Sequence, residues 1–82
     1  MKKYVIVHVS IWDYELDINL VDCASFNEAQ STLYKMYDEE LKLFLERYHI
    51  DDIEINEYDD MIDISYKGYG CQYSSYLKIE CI

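Results

Sequence analysis

The stretch SFNEAQSTLYKMYDEELKLFLERY, residues 25–48, repeats with a helical period. Ala29, Leu33, Tyr37, Leu41, Phe44 and Tyr48 recur at steps of three and four, which lines one side of a helix with apolar groups. Ser31, Lys35, Asp38, Lys42, Glu46 and Arg47 fall on the other side, with Glu39 on the same surface and Asp38 and Lys42 one turn apart. Ser25 followed by Glu28 fits a capping box, in which hydroxyl and carboxylate each satisfy an amide at the helix start. Arg47 suits the negative end of the helix dipole. The pattern predicts a helix over residues 26–47.

On either side of this segment the period drops to two. Before it, Val5, Val7, Val9 and Ile11 alternate with Tyr4, Ile6, His8, Ser10 and Trp12. After a turn at Asp13-Tyr14-Glu15, Leu16, Ile18 and Leu20 stand opposite Asp17 and Asn19, so the two runs predict a hairpin with one wetter face. Behind the helix come Ile53 and Ile55, an acidic turn at residues 57–60, then Ile62, Ile64 and Tyr66 alternating with Asp63 and Ser65. Lys67-Gly68-Tyr69-Gly70 predicts a further turn, where glycine tolerates positive φ. A last strand sets Tyr73, Ser75, Leu77, Ile79 and Cys81 against Gln72, Ser74, Tyr76, Lys78 and Glu80. The expected order is β-β-α-β-β-β: a two-layer α+β domain with one amphipathic helix packed on an antiparallel sheet.

Eighty-two residues suffice for one domain, residues 1–82, and no linker or repeat interrupts them. An acidic excess can signal disorder, but disordered chains lack aromatics, and this one carries ten Tyr in an apolar fraction of 51%. Cys23, Cys71 and Cys81 show no CxxC spacing, and Met1-Lys2-Lys3 leads straight into a strand. The chain is therefore expected in the cytoplasm with its thiols reduced, a Cys71–Cys81 disulfide standing as the alternative. The net charge of -10 argues against direct contact with nucleic acid or an anionic membrane, both of which need a basic face.

No pattern of catalytic or ligating groups stands out. Nucleophilic catalysis needs a Ser or Cys near an oriented base, and the two histidines are His8, inside a strand, and His49, just past the helix. Zinc needs paired Cys and His spacings, which are missing. Calcium-binding loops alternate acids around a glycine, and neither Asp13, Glu15, Asp17 and Asn19 nor residues 51–63 include one. No cofactor, metal or enzymatic activity is expected.

What points outward is charge. From Tyr48 to Tyr66 there are seven carboxylates, Asp51, Asp52, Glu54, Glu57, Asp59, Asp60 and Asp63, and no Lys or Arg. Such a run serves either as a solubilising surface or as an imitation of a line of phosphates that a basic groove would attract. Tyr34, Tyr58, Tyr69, Tyr73 and Tyr76 fall at turns or off the expected core face, and tyrosine suits interfaces because its ring buries area while its hydroxyl keeps a partner.

Tyr4-Val5-Ile6-Val7, Ile11-Trp12-Asp13, Asn27-Glu28-Ala29, Ser65-Tyr66-Lys67-Gly68-Tyr69 and Leu77-Lys78-Ile79-Glu80 together resemble a group of small acidic proteins of Firmicutes and their phages. In size and charge the chain is also similar to phage anti-CRISPR proteins, many of which block a nuclease's nucleic-acid groove. That second likeness carries no residue motif and implies no site. It implies a phage- or mobile-element-encoded inhibitor that binds a basic host protein, such as a CRISPR nuclease. The expected partner-binding residues follow from charge: Asp51, Asp52, Glu54, Glu57, Asp59, Asp60 and Asp63, flanked by Tyr58 and Tyr69, with Asp13, Glu15 and Asp17 adding to them if both hairpins share one side. The alternative is a small interaction module that homodimerises through a sheet edge or a tyrosine face, with no mimicry.

Overall fold

The computed structural model describes residues 3–67 and 73–82. The expected turn at Gly68 and Gly70, the anchor Tyr69 and the thiol of Cys71 lie outside the described residues. Strands β1 (Tyr4–Trp12) and β2 (Glu15–Cys23) form the first hairpin, followed by helix α1 (Phe26–Arg47) and a single 3-10 turn at Ile50–Asp52. Strands β3 (Ile53–Glu57), β4 (Met61–Tyr66) and β5 (Tyr73–Cys81) complete an antiparallel five-stranded sheet in the order β2-β1-β5-β4-β3. The protein is α+β, with one helix packed on one sheet. The first and last strands pair over nine residues, from Tyr4 opposite Cys81 to Trp12 opposite Tyr73, which closes the sheet between two local units.

The helix starts where the sequence predicts. Ser25 accepts the Glu28 amide through its hydroxyl at 3.1 Å, while the Glu28 carboxylate reaches back to the Ala24 amide at 2.8 Å, one residue beyond the usual capping-box partner. The β1–β2 turn is tighter than expected. Only Asp13 and Tyr14 lie between the strands, both at positive φ (52° and 68°), as a type I′ turn requires. Neither is a glycine, so the left-handed backbone costs about 1 kcal/mol or more per residue. A hydrogen bond from the Tyr73 hydroxyl to the Asp13 carboxylate helps to hold the turn.

The helix covers the sheet face that carries Ile6, Ile62, Ile64, Leu77, Ile79 and Ile53. This decides a question the alternation left open, and it reverses the apparent polarity of the first hairpin. Leu16, Ile18 and Leu20, the dry side of β2 by pattern, point away from the helix and are 62%, 57% and 67% exposed. Tyr4, Ile6, His8, Ser10 and Trp12 point towards it. The reason lies in β3, β4 and β5: their isoleucines and Leu77 all fall on one face, and the register locks β1 to that face.

The core has two apolar halves. Ile6, Cys23, Ala29, Leu33, Ile62, Leu77 and Ile79 fill one end. Phe44, Ile53, Ile64 and Tyr73 fill the other, with Trp12, Tyr48 and Tyr66 packed against them. Tyr73 is therefore a core residue and a correction to its expected place at an interface. Its ring meets Trp12 edge-on at 5.2 Å, and Arg47 lies over it at 5.2 Å while donating to its hydroxyl at 3.0 Å.

Between the halves lies a polar layer. Glu40, in the middle of the buried helix stripe, puts Oε1 2.7 Å from His8 Nε2. The same nitrogen is 3.0 Å from Ser75 Oγ, and Ser10 lies directly opposite Ser75 on the neighbouring strand. Glu40 Oε2 is buried without a hydrogen-bond partner. A buried polar contact of this kind costs more to break than to replace whole, because a lone buried partner keeps its desolvation penalty. Glu40→Leu alone, or His8→Leu alone, should therefore lower stability by about 2–4 kcal/mol. The double variant should lose clearly less than the sum, as measured by denaturant unfolding of all four proteins. Strict additivity would show that the contact contributes nothing.

Candidate interaction surfaces

Six of the seven clustered carboxylates line the β3 edge of the sheet. Asp51 and Asp52 lie in the 3-10 turn that leads into β3, Glu54 and Glu57 on the strand, and Asp59 and Asp60 in the turn beyond it. All six are exposed. Side chains alternate across a strand, so Glu54 leans to the open face of the sheet and Glu57 to the helix side, which makes the edge a ridge. Asp63 sits one strand inward on the open face, where Asn56 donates to it at 3.0 Å. Backbone hydrogen bonds hold the ridge at both ends: Lys67 N to Asp52 O at 2.9 Å, Tyr58 N to Met61 O at 2.7 Å and Ile79 N to Asp60 O at 2.8 Å. Gln30 ties the far turn to the helix start through Asp59 O at 3.2 Å.

No Lys or Arg forms an ion pair with any of the seven among the described residues. Of the two lysine pairs, Lys3–Asp22 at 3.2 Å is remote, while Lys78–Glu80 at 3.3 Å borders the same hollow as Asp60. His49 approaches Asp51 at 3.4 Å, both largely exposed. The ridge acts on its neighbours. A hydrogen bond to Glu57, then partial burial, pushes the Tyr34 phenol above its ordinary value. Burial first and Glu57 second do the same to Tyr37.

Other expected site residues do not join the ridge. Asp13, Glu15 and Asp17 belong to the β1–β2 hairpin, at the opposite edge of the sheet. Four strand spacings, about 19 Å, separate β2 from β3, so the two hairpins do not share one side. Tyr58 is exposed beside Asp59, as expected of an anchor, while Tyr69 is outside the described residues. Tyr34 and Tyr76 are both partly exposed, Tyr34 on the helix near Glu57 and Tyr76 on the open sheet face.

His8, Ser75 and Glu40 bring together the residue types of a hydrolytic triad but not its geometry. A triad base uses one ring nitrogen for the nucleophile and the other for the orienting carboxylate. Here both partners meet Nε2, and Ser75 is 1% exposed. The arrangement fits a structural brace between helix and sheet. Cys23 is buried and Cys81 exposed, both as free thiols. Among the described residues no group of three Cys, His, Asp or Glu side chains is arranged to hold a metal ion. No helix among them is long and apolar enough to cross a membrane.

At the end of the sheet near Arg47, a shallow hollow of about 290 Å³ is lined by Trp12, Leu43, Glu46 and Arg47. Arg47 is already committed to the rings of Trp12 and Tyr73 and to the Tyr73 hydroxyl. At the other end Tyr4, Phe26, Asp60, Lys78, Glu80 and Cys81 border a hollow of about 330 Å³. Both are open and mixed in character.

Comparison with protein-family models, with curated proteins and with solved structures finds no match to this chain.

The Tyr73 phenol carries a prediction. Its hydrogen bond to Asp13 raises it first, and burial adds to the shift. A phenol whose folded value is raised stays protonated longer in the native state than in the unfolded chain. The stability it contributes is complete below about pH 10 and is lost as pH rises through the raised value. Tyr34, Tyr37 and Lys78, the last raised chiefly by Glu80, act in the same direction. The melting temperature should fall above about pH 10. Tyr73→Phe should lower the melting temperature at neutral pH and make the alkaline fall shallower. An equally steep fall in Tyr73→Phe would remove this phenol from the cause.

Proposed function

We propose that this is a non-catalytic binding protein, encoded by a phage or mobile element, which inhibits a host defence nuclease of the CRISPR type. It lays its carboxylate ridge into the basic surface where that nuclease holds nucleic acid. The observation that carries this reading is the ridge: six exposed carboxylates on β3 and in the turns at its two ends, none in an ion pair with Lys or Arg among the described residues. Glu54 and Glu57 stand about 10 Å apart along β3 at strand rise, with Asp51 and Asp52 in the turn before them and Asp59 and Asp60 in the turn beyond. This is a sparser row than a nucleic-acid strand, which carries one charge per about 3.4 Å. Like charges held in a row repel one another and cost stability, so the ridge is an expensive way to achieve solubility alone. Tyr58 at its far end offers a ring to the partner, and Asp63 extends the charge onto the open face. The buried, single-nitrogen arrangement of His8 favours binding over chemistry.

Tagged protein should recover a basic nucleic-acid-handling protein from a Firmicute lysate at about 0.1 M salt and lose it at about 0.5 M, since exposed charges are screened over a few ångströms at that strength. Replacing Glu54, Asp59 and Asp60 together by Lys changes the net charge from -10 by +6 to -4. That variant should keep its fold by circular dichroism and lose at least about a hundredfold in affinity. Undiminished binding by the folded variant would end the mimicry reading.

A further inference from the structure

The second surface without an assigned purpose is the open face of the sheet, opposite the helix. On β2 the outward residues Leu16, Ile18 and Leu20 are all more than half exposed. The register continues them inward: Leu20 lies beside Val7, and Ile18 beside Val9, which lies beside Tyr76 on β5. They form one patch across three strands. Monomers seldom leave contiguous apolar surface on this scale uncovered. β2 is also a nine-residue edge strand, paired without a bulge to β1 and free of proline, and its outer backbone is guarded by the charges of Glu15, Asp17 and Asp22.

We infer that the protein self-associates through this face, with β2, β1 and β5 of one copy packed sheet-on-sheet against those of a second across a two-fold axis. Charge selects the second copy over another occupant. A basic partner is drawn to the β3 edge, whose carboxylates form no Lys or Arg pair among the described residues, whereas Leu16, Ile18, Leu20, Val7, Val9 and Tyr76 bear no charge. The charges bordering them on the same face are held within the chain: Lys78, beside Val7, pairs with Glu80, Asp22 pairs with Lys3, and Asp63, beside Tyr76, accepts from Asn56. In a chain of net charge -10 this is the surface a like-charged copy can approach. Area agrees. Three strands of nine residues cover roughly 14 by 30 Å, about 400 Å² of footprint before side-chain relief is counted. A standard interface takes about 800 Å² of accessible surface per partner, and weak ones under about 600 Å². The dimer belongs at the weaker end, dissociating in the micromolar range. Two sheets packed about 10 Å apart interdigitate their facing side chains, which suits the Leu16, Ile18 and Leu20 row. This inference does not depend on the mimicry reading.

Sedimentation equilibrium of the whole chain from about 1 to about 100 μM tests it. The mass should rise from 9.9 kDa towards twice that value with concentration. It should rise at lower concentration in about 0.5 M salt, where repulsion between the copies is screened. Ile18→Thr with Leu20→Thr keeps strand-forming residues, so the helix and sheet signals should persist while dimerisation weakens at least tenfold. Leu20→Arg, at the most exposed of the three positions, supplies a second folded variant should the double one unfold. The triple lysine variant of the β3 edge should dimerise at least as tightly as the parent. A wild-type mass fixed at 9.9 kDa throughout, or a dimer unchanged in the folded face variants, would overturn the inference. Capture of a different protein by the face in place of a second copy would overturn it as well.

Discussion

One helix has to close one face of five strands, and everything else in the molecule follows from that. A helix with its side chains is about 10–12 Å across, while the outer strands of the sheet stand about 19 Å apart. The helix closes over the middle of the sheet and reaches Cys23 on β2 and Ile53 on β3, but it leaves Glu15, Asp17, Asn19 and Glu57 of the two edge strands in solvent on its own side. The opposite face carries no second layer among the described residues. A chain of this size has no material for a third layer, so its apolar residues must fit beneath one helix or remain in solvent. The exposure of Leu16, Ile18 and Leu20 is the visible remainder.

The polar layer of His8, Glu40, Ser10 and Ser75 sits at the centre of the covered area. An apolar replacement of similar volume would bury as much surface without the desolvation penalty. The layer fixes position instead. Glu40 can meet His8 Nε2 at one rotation and one shift of the helix, whereas isoleucine and leucine rows accept several. With apolar clusters on either side, a slip of the helix by one turn would leave the carboxylate against hydrocarbon. At the Arg47 end, Tyr73 accepts from Arg47, donates to Asp13 and packs against the rings of Trp12 and Tyr48, which pins the helix terminus to the strand in the same way.

Periodicity made the elements legible. The helix bounds, the Ser25 cap and the order of strands could be read because each rests on contacts within a few residues. Three features could not be read that way. Both rows of β1 carry large apolar side chains, Val5, Val7, Val9 and Ile11 on one side and Tyr4, Ile6 and Trp12 on the other, so alternation showed a strand without showing which row the helix would cover. The pairing of β1 with β5 joins residues more than sixty positions apart and leaves no local mark, so the placement of the two hairpins on opposite edges could not be foreseen. Glu40 was concealed differently. It lies four residues after Met36 and four before Phe44, squarely on the apolar stripe, and a carboxylate there is easily assigned to solvent by its type. Its spacing, paired with a histidine on the facing strand, was the available signal. Of the candidate site, the acidic run was legible as a composition, while its arrangement along an edge depended on β3 being the outermost strand.

That arrangement bears on how two surfaces coexist on so small a protein. The ridge and the apolar patch occupy opposite halves of one sheet, because a strand that ends in charged turns makes a poor interior strand and β3 therefore lies outermost. Where two copies pack through β2, β1 and β5 about a two-fold axis that runs along the strands, the β3 edges point to opposite sides. The two ridges then stand about 30 Å apart, several times the screening length of about 8 Å at physiological ionic strength. Their mutual repulsion is small, so the charge that would oppose association is placed where it hardly acts. Each ridge remains free, and a dimer presents two of them facing outward. A bivalent acidic ligand gains from the second contact only when two basic sites lie within its fixed span, so the sheet that holds the ridges apart would also select the partner.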